Sequence, residues 1–485
     1  MSDMTSQDDA ELSALGYTAH FDRNMSLWEN FALGFTYLSP VVGVYSVFGI
    51  GMAAGGPAMI WWYPIAALGQ FIVCLTFCEV VSQFPISGGL YPWCRRLVGR
   101  KWAWMAGWIY GWALFTSIAA VAAGAAPFVA PLLGFQSSPV LAGLIAIALV
   151  ALSTLTNLAG TRMLARVAMF GFICEILGAL AVGTFLLLFH RHQPLGILFS
   201  SFGIARDGHY GPAFLSAAIV GLFTCYGFEA CGDVAEETPN PGIAIPRAMK
   251  STIYIGMSAS IFVCLALILS LPDVMAVVEG RVANPIEDAL LAAFGPLGAK
   301  LVMLVVLVSF LSCILSLQAA ASRLVYAYAR DDMVVASGWL ARVSERHHVP
   351  TNALVLSGVV AGAILVLGMF FADTVATIVS FAVVGIYAGF QMVVLGALVA
   401  RSRGWRPRGR FRLGAWAWPV NVAGLAWGVW AIADMLRPAD GAGPWYMSWA
   451  MALTFGAVVL TGLAYMLAAR PHDRSDAPAG DAWQV

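Results

Sequence analysis

The feature that most constrains this chain is a series of apolar stretches that recurs from residue 30 to residue 469. Each is about 20 residues long, which is the length a helix needs to cross a bilayer. Hydrophobic residues make up 60% of the chain and charged residues 11%, whereas a soluble globular chain carries about 25% charged residues. The stretches lack the two-residue alternation of membrane barrel strands. The sequence therefore predicts an all-α integral membrane protein.

The apolar stretches predict twelve membrane spans separated by short Gly, Pro and charged segments. These spans cover residues 30–54, 58–84, 102–133, 139–158, 163–189, 212–235, 248–271, 301–329, 352–371, 374–400, 414–436 and 446–469. They divide the chain into an N-terminal tail (1–29), a ten-span core (30–400), two further spans (414–469) and a polar C-terminal tail (470–485) that is expected to be disordered. The chain contains no GxxxxGK[ST] phosphate-binding loop, so ATP-driven transport is not expected.

Lys and Arg indicate the orientation, because loops on the cytoplasmic side carry an excess of them. With a cytoplasmic N-terminus, most of the 26 basic residues fall in inner segments. The exceptions are Arg191, Arg206, Arg281, Lys300 and Arg437. We therefore expect both termini in the cytoplasm of a plasma membrane, with a bacterial inner membrane favoured. The acidic N-terminus lacks the pattern of a cleaved signal, so the first span is expected to insert uncleaved.

Two predicted spans carry residues that interrupt a helix. Pro40 and Gly43 lie in the first span, and Gly227 and Gly232 flank Glu229 in the sixth. Proline removes a backbone donor, and broken backbone in a membrane is tolerated only where it faces protein or a water-filled cavity. Broken spans at matching positions of two halves indicate a transporter's binding site at the membrane midplane. The alternative is that both are kinks used only for packing.

Three carboxylates lie well inside predicted spans: Glu79, Glu175 and Glu229. Each costs roughly 2.5–3.5 kcal/mol to insert, by the scale for charged residues at the helix centre, and needs a partner, a proton or water. Glu79 precedes a cytoplasmic corner, which favours a structural role. Glu175 has no polar neighbour in the sequence, which favours a functional one. Desolvation disfavours the charged form of a buried carboxyl, so Glu175 is a candidate proton carrier.

Three motifs, in this order along the chain, resemble those of one transporter superfamily. They are "CEVVSQFPISGGLYPW" (78–93), "YGFEACGDVAEETPNPGIAIPRAM" (226–249) and "ASRLVYAYARDDM" (321–333). The chain resembles the amino acid–polyamine–organocation permeases, and within them the amino acid/choline transporter branch. The resemblance implies twelve transmembrane helices, a LeuT-type 5+5 inverted repeat over residues 30–189 and 212–400, and discontinuous helices 1 and 6. It also implies secondary transport of amino acids or related amines by alternating access.

The resemblance also implies a substrate site in helix 1. The family's Gly-rich turn falls at Val41, Val42 and Gly43, where the first two positions are valines instead. The N–H groups of Val42 and Gly43 would bind a substrate carboxylate, because a half-helix N-terminus favours an anion. Ser39 is a further candidate for substrate contact.

In helix 6 the resemblance places an unwound segment at Tyr226, Gly227 and Phe228. The carbonyl groups of these residues and of Phe223 would accept hydrogen bonds from a substrate ammonium. Phe223 matches the family's gating aromatic, and the alternative is an ordinary core residue. Glu229 would supply charge or a proton beside the substrate.

The resemblance implies that Glu175 stands where some proton-coupled relatives carry a lysine that replaces a sodium ion. Glu175 could therefore bind the coupling proton or ligate sodium, and proton coupling is favoured. Ser309 and Ser312 on helix 8 are candidate ion ligands, although serines in membrane helices commonly bond to their own helix. Trp112 and Tyr387 are candidate pocket residues, and bundle packing is the alternative for both.

The sequence thus predicts a proton-coupled symporter of an amino acid or amine such as GABA or a polyamine. The alternatives are a sodium-coupled symporter, an exchanger and, with less support, a transporter-like amino acid sensor. The expected partners are the small-molecule substrate, a proton or sodium ion and the lipid bilayer. No enzymatic activity, cofactor, metal site or nucleic acid is expected, and the substrate's identity and the oligomeric state stay open.

Overall fold

A computed structural model describes residues 2–132, 134, 138–204, 209–282, 284–370, 374–438 and 444–484. The regular elements of these residues are all helices, and nine helical stretches among them are long and apolar enough to cross a membrane. One of the nine, Leu27–Gln83, contains the first two predicted spans. The spans predicted at 212–235 and 414–436 are not among the nine. The count of twelve therefore stays a prediction, as does the inverted repeat.

The helices of the N-terminal half run from the first tail to the sixth predicted span. They are α1 (Ser2–Ala14), α2 (Leu27–Leu38), α3 (Pro40–Gly55), α4 (Trp62–Gln83), α5 (Leu90–Leu97), α6 (Arg100–Leu132), α7 (Pro139–Leu158), α8 (Thr161–Phe189), α9 (Gly211–Ser216), α10 (Ile219–Thr224) and α11 (Ala230–Asp233).

The helices of the C-terminal half follow the same pattern of long spans joined by short segments. They are α12 (Pro241–Ser270), α13 (Val274–Val278), α14 (Pro285–Arg330), α15 (Ser337–Leu340), α16 (Thr351–Gly368), α17 (Thr374–Ser402), α18 (Ala417–Met435), α19 (Trp445–Ser448), α20 (Ala450–Ala469) and α21 (Pro471–Arg474). The long α14 is interrupted at Gly295, which has a φ of 65°.

The first predicted span is divided into α2 and α3. Helix α2 begins with a capping box, in which Ser26 accepts from the Glu29 backbone and the Glu29 carboxylate accepts from the Ser26 N–H. It ends at Ser39, which has a φ of 42° and donates its N–H to Phe35 O. Pro40 then opens α3, because a proline fits the first turn of a helix but not its interior. The chain therefore breaks its helix at Ser39.

The sixth predicted span is divided into α9, α10 and α11, and residues 225–229 between the last two are not helical. Gly227 has a φ of 110°, a conformation that favours glycine. A Cβ atom at Gly227 would lie 2.7 Å from the Leu38 nitrogen and 3.1 Å from the Tyr37 carbonyl carbon. The two interruptions are therefore in direct backbone contact, and glycine allows this close approach.

The interrupted helices lie inside the bundle. Helix α2 packs against α8, α12 and α14, and α10 packs against α3 and α4. Helix α6 packs against α14 and α17, which close the other side. By contrast, Gly462 is the one buried residue of α20, as expected for a helix with most of its surface toward lipid. The polar groups of the two breaks are thus surrounded by protein, which is where a membrane protein tolerates them.

The C-terminal tail differs from its expected disorder. Arg95 on α5 donates to Ser475 Oγ at 2.7 Å, and its carbonyl accepts the Gly480 N–H at 2.8 Å. Ser475 and Ala482 are each 1% exposed. The tail is ordered because the guanidinium and carbonyl groups of α5 supply hydrogen-bond partners that its polar composition does not reveal.

Candidate functional site

The carboxyl group of Glu175 lies at the start of α3. Its Oε1 accepts the Ser39 hydroxyl at 2.7 Å and the Val41 N–H at 2.8 Å. Glu175 is on α8 and is fully buried, and Oε2 has no hydrogen-bond partner within the described part of the chain. A helix N-terminus favours a negative group, so the break at Ser39 and the carboxyl of α8 stabilise each other.

The N–H groups predicted to hold a substrate carboxylate already have partners. The Val42 N–H donates to Ser39 Oγ at 3.3 Å, and the Gly43 N–H donates to Ser39 O at 2.8 Å. Ser39 therefore accepts hydrogen bonds from the N-terminus of α3 and donates one to Glu175. A substrate carboxylate would have to displace Ser39 from these donors, so the predicted role of Val42 and Gly43 stays a prediction.

Glu229 lies at the second break and is also fully buried. Its Oε2 accepts the Gly227 N–H at 2.8 Å, and its Oε1 accepts the Tyr110 hydroxyl at 3.2 Å. Tyr110 comes from α6, so the carboxyl group joins the broken helix to its neighbour. The Tyr37 ring of α2 meets the Tyr226 ring edge-on at 6.0 Å. The site around Glu229 thus combines one carboxyl group with three tyrosines.

Two predicted residues of the sixth span occupy different surroundings. The Phe223 ring packs edge-on against Tyr226 at 5.8 Å and is therefore beside the break. The Phe228 ring instead packs among the rings of Phe77 and Phe390, at 5.5 and 5.3 Å. Its backbone carbonyl accepts the Cys231 N–H at 3.4 Å. Phe228 therefore holds α11 against α4 and α17 through its side chain.

Trp112 and Tyr110 lie on different faces of α6. The Trp112 ring packs against Trp108 and Phe115 on the same helix. Each helical residue turns by about 100°, so residues 110 and 112 point to nearly opposite sides of α6. Tyr110 is the aromatic residue of this helix that contacts Glu229, and the role of Trp112 as a pocket residue stays a prediction.

The other predicted pocket and ion candidates are all buried. The Tyr387 ring stacks on Phe390 at 6.3 Å, on the α17 side of the break. Ser309 and Ser312 donate to the carbonyl groups of Val305 and Val308 at 3.2 and 2.9 Å. Both serines therefore satisfy their hydroxyl groups within α14, as serines in membrane helices commonly do.

Asp233 is a residue of this site that the sequence reasoning did not select. It lies on α11, four residues after Glu229, and is fully buried. Neither carboxyl oxygen has a hydrogen-bond partner among the residues that the structure describes. The spacing of one helical turn from Glu229 was a signal in the sequence, because residues four apart share a helix face.

Charged pairs close the predicted cytoplasmic end of the site. Arg323 on α14 donates to both carboxyl oxygens of Glu237, at 2.8 and 3.0 Å. Glu236 accepts from Arg330 at 2.9 Å and from the Ser87 N–H at 3.0 Å. Bidentate arginine–carboxylate pairs are among the strong hydrogen bonds of proteins. The end of the broken span is thereby tied to α14 and to the turn before α5.

Glu79 has the structural partners that its position suggested. Its carboxyl group accepts from the Arg401 guanidinium and from the Leu413 N–H, the latter at 2.9 Å. Arg401 also donates to Asn421 at 2.8 Å. This buried group therefore joins α4 to α17 and α18 and lies outside the site at the two breaks.

Comparisons with known proteins identify the family of this chain. A family model described as amino acid permease matches residues 25–463. Two plant relatives are an amino-acid permease BAT1 homolog of Oryza sativa, at 25% identity over 86% of this chain and 85% of its own, and amino-acid permease BAT1 of Arabidopsis thaliana, at 24% over 86% of each. A Candida albicans relative bears the name of a polyamine transporter, at 24% identity over 96% of this chain and 88% of its own. The chain belongs to the amino acid permease family of the amino acid–polyamine–organocation superfamily and is a membrane transporter, not an enzyme.

Proposed function

We propose that this protein is a proton-coupled symporter that carries an amino acid or a related amine across the cell membrane by alternating access. The observation that carries the proposal is the contact between two broken helices, with Glu175 at one break and Glu229 at the other. Broken helices of this kind form midplane binding sites in secondary transporters. The names of the relatives support an amino acid or amine as the cargo.

The surroundings of Glu229 support the binding of an ammonium group. Its carboxyl group accepts hydrogen bonds from Tyr110 and Gly227, which stabilise its charged form. The rings of Phe223 and Tyr226 contact each other at the same break, and aromatic faces attract cations. A substrate with an amine remote from its carboxylate, such as GABA, or one without a carboxylate, such as a polyamine, suits such a site.

The position of Glu175 supports a role in coupling. Protonation would weaken the hydrogen bond that its Oε1 accepts from the Val41 N–H, and for a substrate that has a carboxylate the N-terminus of α3 would then be free to bind it. In this scheme the proton and the substrate bind together, as symport requires. The exchange of a carboxylate of the protein for one of the substrate leaves the charge at the helix N-terminus unchanged.

A sodium-coupled symporter is the second candidate. It is favoured by Glu175 Oε2, which has no hydrogen-bond partner in the described residues, and by the Ser312 side chain, which lies against Gly171 one turn from Glu175. A carboxylate and a hydroxyl are suitable oxygen ligands for a hard cation. The two candidates differ in the gradient that drives accumulation.

The test is uptake of labelled GABA, putrescine and neutral amino acids into proteoliposomes, with a pH gradient or with a sodium gradient at constant pH. We expect accumulation of at least one compound with the pH gradient alone. Glu175→Gln should abolish gradient-driven accumulation and preserve exchange of substrate at equal pH. Accumulation driven equally well by sodium at constant pH would contradict proton coupling.

A second variant tests the amine site. Glu229→Gln should weaken binding of the transported amine by about 10- to 100-fold, because a hydrogen bond to a charged group contributes about 1.5–3 kcal/mol. Glu279→Gln is the matched control, since Glu279 is half-exposed and pairs with Arg281 outside the site. Equal loss of affinity in both variants, measured by ligand-induced thermal stabilisation, would argue against a role for Glu229 in binding.

A further inference from the structure

Asp233 is a buried carboxyl group that no contact in the described structure explains. Its side chain is fully buried, and neither oxygen has a hydrogen-bond partner there. Titratable and charged groups surround it on every side. They are Glu229 just before α11, Cys231 on α11, Tyr37 on α2, Tyr110 on α6, Arg323 on α14 and, at the turn before α5, Glu236 through its bonds to Ser87.

Arg323 forms no hydrogen bond with Asp233. The Arg323 Nε and Nη2 atoms both donate to Glu237, and its Nη1 atom donates to Ala319 O and Ser322 Oγ. The guanidinium group is therefore held by other acceptors. An ionised carboxylate without a partner is strongly disfavoured away from water, and such a group takes up a proton instead.

The carboxyl groups of Glu229, just before α11, and Asp233, at its end, have opposite surroundings. Glu229 accepts two hydrogen bonds, which favour its charged form, whereas Asp233 accepts none. Two carboxyl groups one helical turn apart also disfavour a charge on both. When neighbouring groups differ in this way, their surroundings assign the charge to one and the proton to the other. Asp233 is thus the member of this pair that holds a proton more readily, and Glu229 is the member that carries a charge more readily.

The turn that joins α4 to α5 covers Asp233. The Gly88 N–H donates to the Asp233 backbone carbonyl at 3.3 Å, and the Asp233 carboxyl group lies against Gly89. Gly89 has a φ of 53°, and a Cβ atom there would overlap the carboxyl group. Ser87 and Glu236 hold the same turn by a pair of 3.0 Å hydrogen bonds. The turn at residues 87–89 therefore separates Asp233 from the predicted cytoplasmic side.

We infer that Asp233 is a proton-binding site and that the turn at residues 87–89 closes over it only when it holds a proton. When the turn moves away, the Asp233 carboxyl group is exposed to water and transfers its proton to a water molecule. Closing requires the reverse transfer from water to the carboxylate. The pH on this side therefore sets how readily the inner end closes. The role of this site in transport rests on the proposed function. The protonation of Asp233 can be measured without transport.

The test is hydrogen–deuterium exchange of the purified full-length protein in lipid nanodiscs, read at peptides that cover residues 84–98. Amide exchange reports local opening. Comparing wild type with Asp233→Asn at each pH removes the intrinsic pH dependence of exchange, because asparagine imitates the neutral carboxyl group. We expect the ratio of wild-type to variant exchange to rise with pH by up to about tenfold per unit, the limit for one proton.

Asp332→Asn is the matched control, since Asp332 is exposed and lies at the same end of the bundle. It should follow wild type throughout. Parallel pH profiles for wild type and Asp233→Asn would overturn the proposal. If Asp233→Asn fails to fold, the wild-type protein alone is sufficient for the test. Its exchange at residues 84–98 is corrected with the intrinsic amide rates at each pH. Corrected exchange that does not change with pH also overturns the proposal.

A transport measurement distinguishes a failure of this proposal from a failure of the proposed function. In proteoliposomes, exchange of the transported compound should slow as the pH on the inner-facing side rises, and it should slow more steeply for wild type than for Asp233→Asn, in which only Glu175 still titrates. If none of GABA, putrescine and the neutral amino acids is transported by wild type, the proposed function fails while the deuterium result still stands. A pH-dependent exchange rate that is equal in both proteins overturns the role of Asp233 alone.

Discussion

The contact between the two broken helices predicts a large effect of Gly227→Ala. Gly227 has a φ of 110°, and a Cβ atom there would lie 2.7 Å from the Leu38 nitrogen. A sparsely populated backbone conformation costs about 1–3 kcal/mol, and overpacking of a well-packed core costs typically about 1–3 kcal/mol more. We expect a loss of about 2–6 kcal/mol in the free energy of unfolding. Since native proteins have about 5–15 kcal/mol in total, this is a severe loss.

The matched control for this substitution is Gly49→Ala. Gly49 lies on α3, and a Cβ atom at this position would meet no atom within 4 Å. Alanine is the better helix former by about 1 kcal/mol, so the control should keep or slightly raise stability. Both variants can be compared by thermal unfolding of the detergent-solubilised protein, followed by size-exclusion chromatography after heating.

The same variant also tests whether the breaks form the binding site. Separation of Gly227 from Leu38 would move the Gly227 N–H away from the Glu229 carboxyl group, which accepts it at 2.8 Å. Gly227→Ala should therefore lose the stabilisation that a bound amine gives to wild type. A variant as stable as wild type, with unchanged amine binding, would refute the close approach of the two breaks.

Three further outcomes follow from particular contacts. Tyr110→Phe removes the hydroxyl group that donates a hydrogen bond to Glu229 at 3.2 Å. It should lower the affinity for the amine by about 10-fold or more in a binding assay. Arg323→Ala leaves its buried carboxylate partner unpaired and should lower the free energy of unfolding by about 3–5 kcal/mol. Removal of residues 475–485 deprives the Nε and Nη2 atoms of Arg95 of their acceptors in the tail and should lower the melting temperature, because buried donors of a charged group lose their partners.

The two point substitutions each have a control. Trp112→Phe should leave amine affinity unchanged, because Trp112 lies on another face of α6. Arg281→Ala changes an exposed pair and should alter stability by less than about 1 kcal/mol. An effect of Trp112→Phe equal to that of Tyr110→Phe would indicate a general disturbance of α6. A melting temperature unaffected by loss of the tail would contradict its packing on α5.

Much of the site's backbone was predictable from residue types. Pro40 cannot continue a helix, and the glycines around Glu229 weaken one, so the sequence indicated both interruptions. Glu175 and Glu229 stood out because a carboxyl group in an apolar span is costly. These inferences depend on local rules, which act within a few residues along the chain.

The side chains around the breaks were harder to predict. Tyr110 and Trp112 are both aromatic residues of one long apolar helix with almost no amphipathic character. Hydropathy therefore does not say which face of α6 points inward. Asp233 was overlooked because it lies near the end of its predicted span, next to a run of acidic residues that do have partners. Only the packing of α11 against α14 shows that the Arg323 guanidinium group donates its hydrogen bonds to Glu237.

The sequence by itself determined the class of this protein, the positions of its helix breaks and its membership of a permease family, because apolar length, proline and glycine act through local geometry and the cost of leaving water. The tertiary structure alone decided which groups meet: Glu175 at the start of α3, Tyr110 on Glu229, and the turn over Asp233. These contacts join residues far apart in the chain. They depend on the rotation of each helix about its own axis, and that rotation is set by packing.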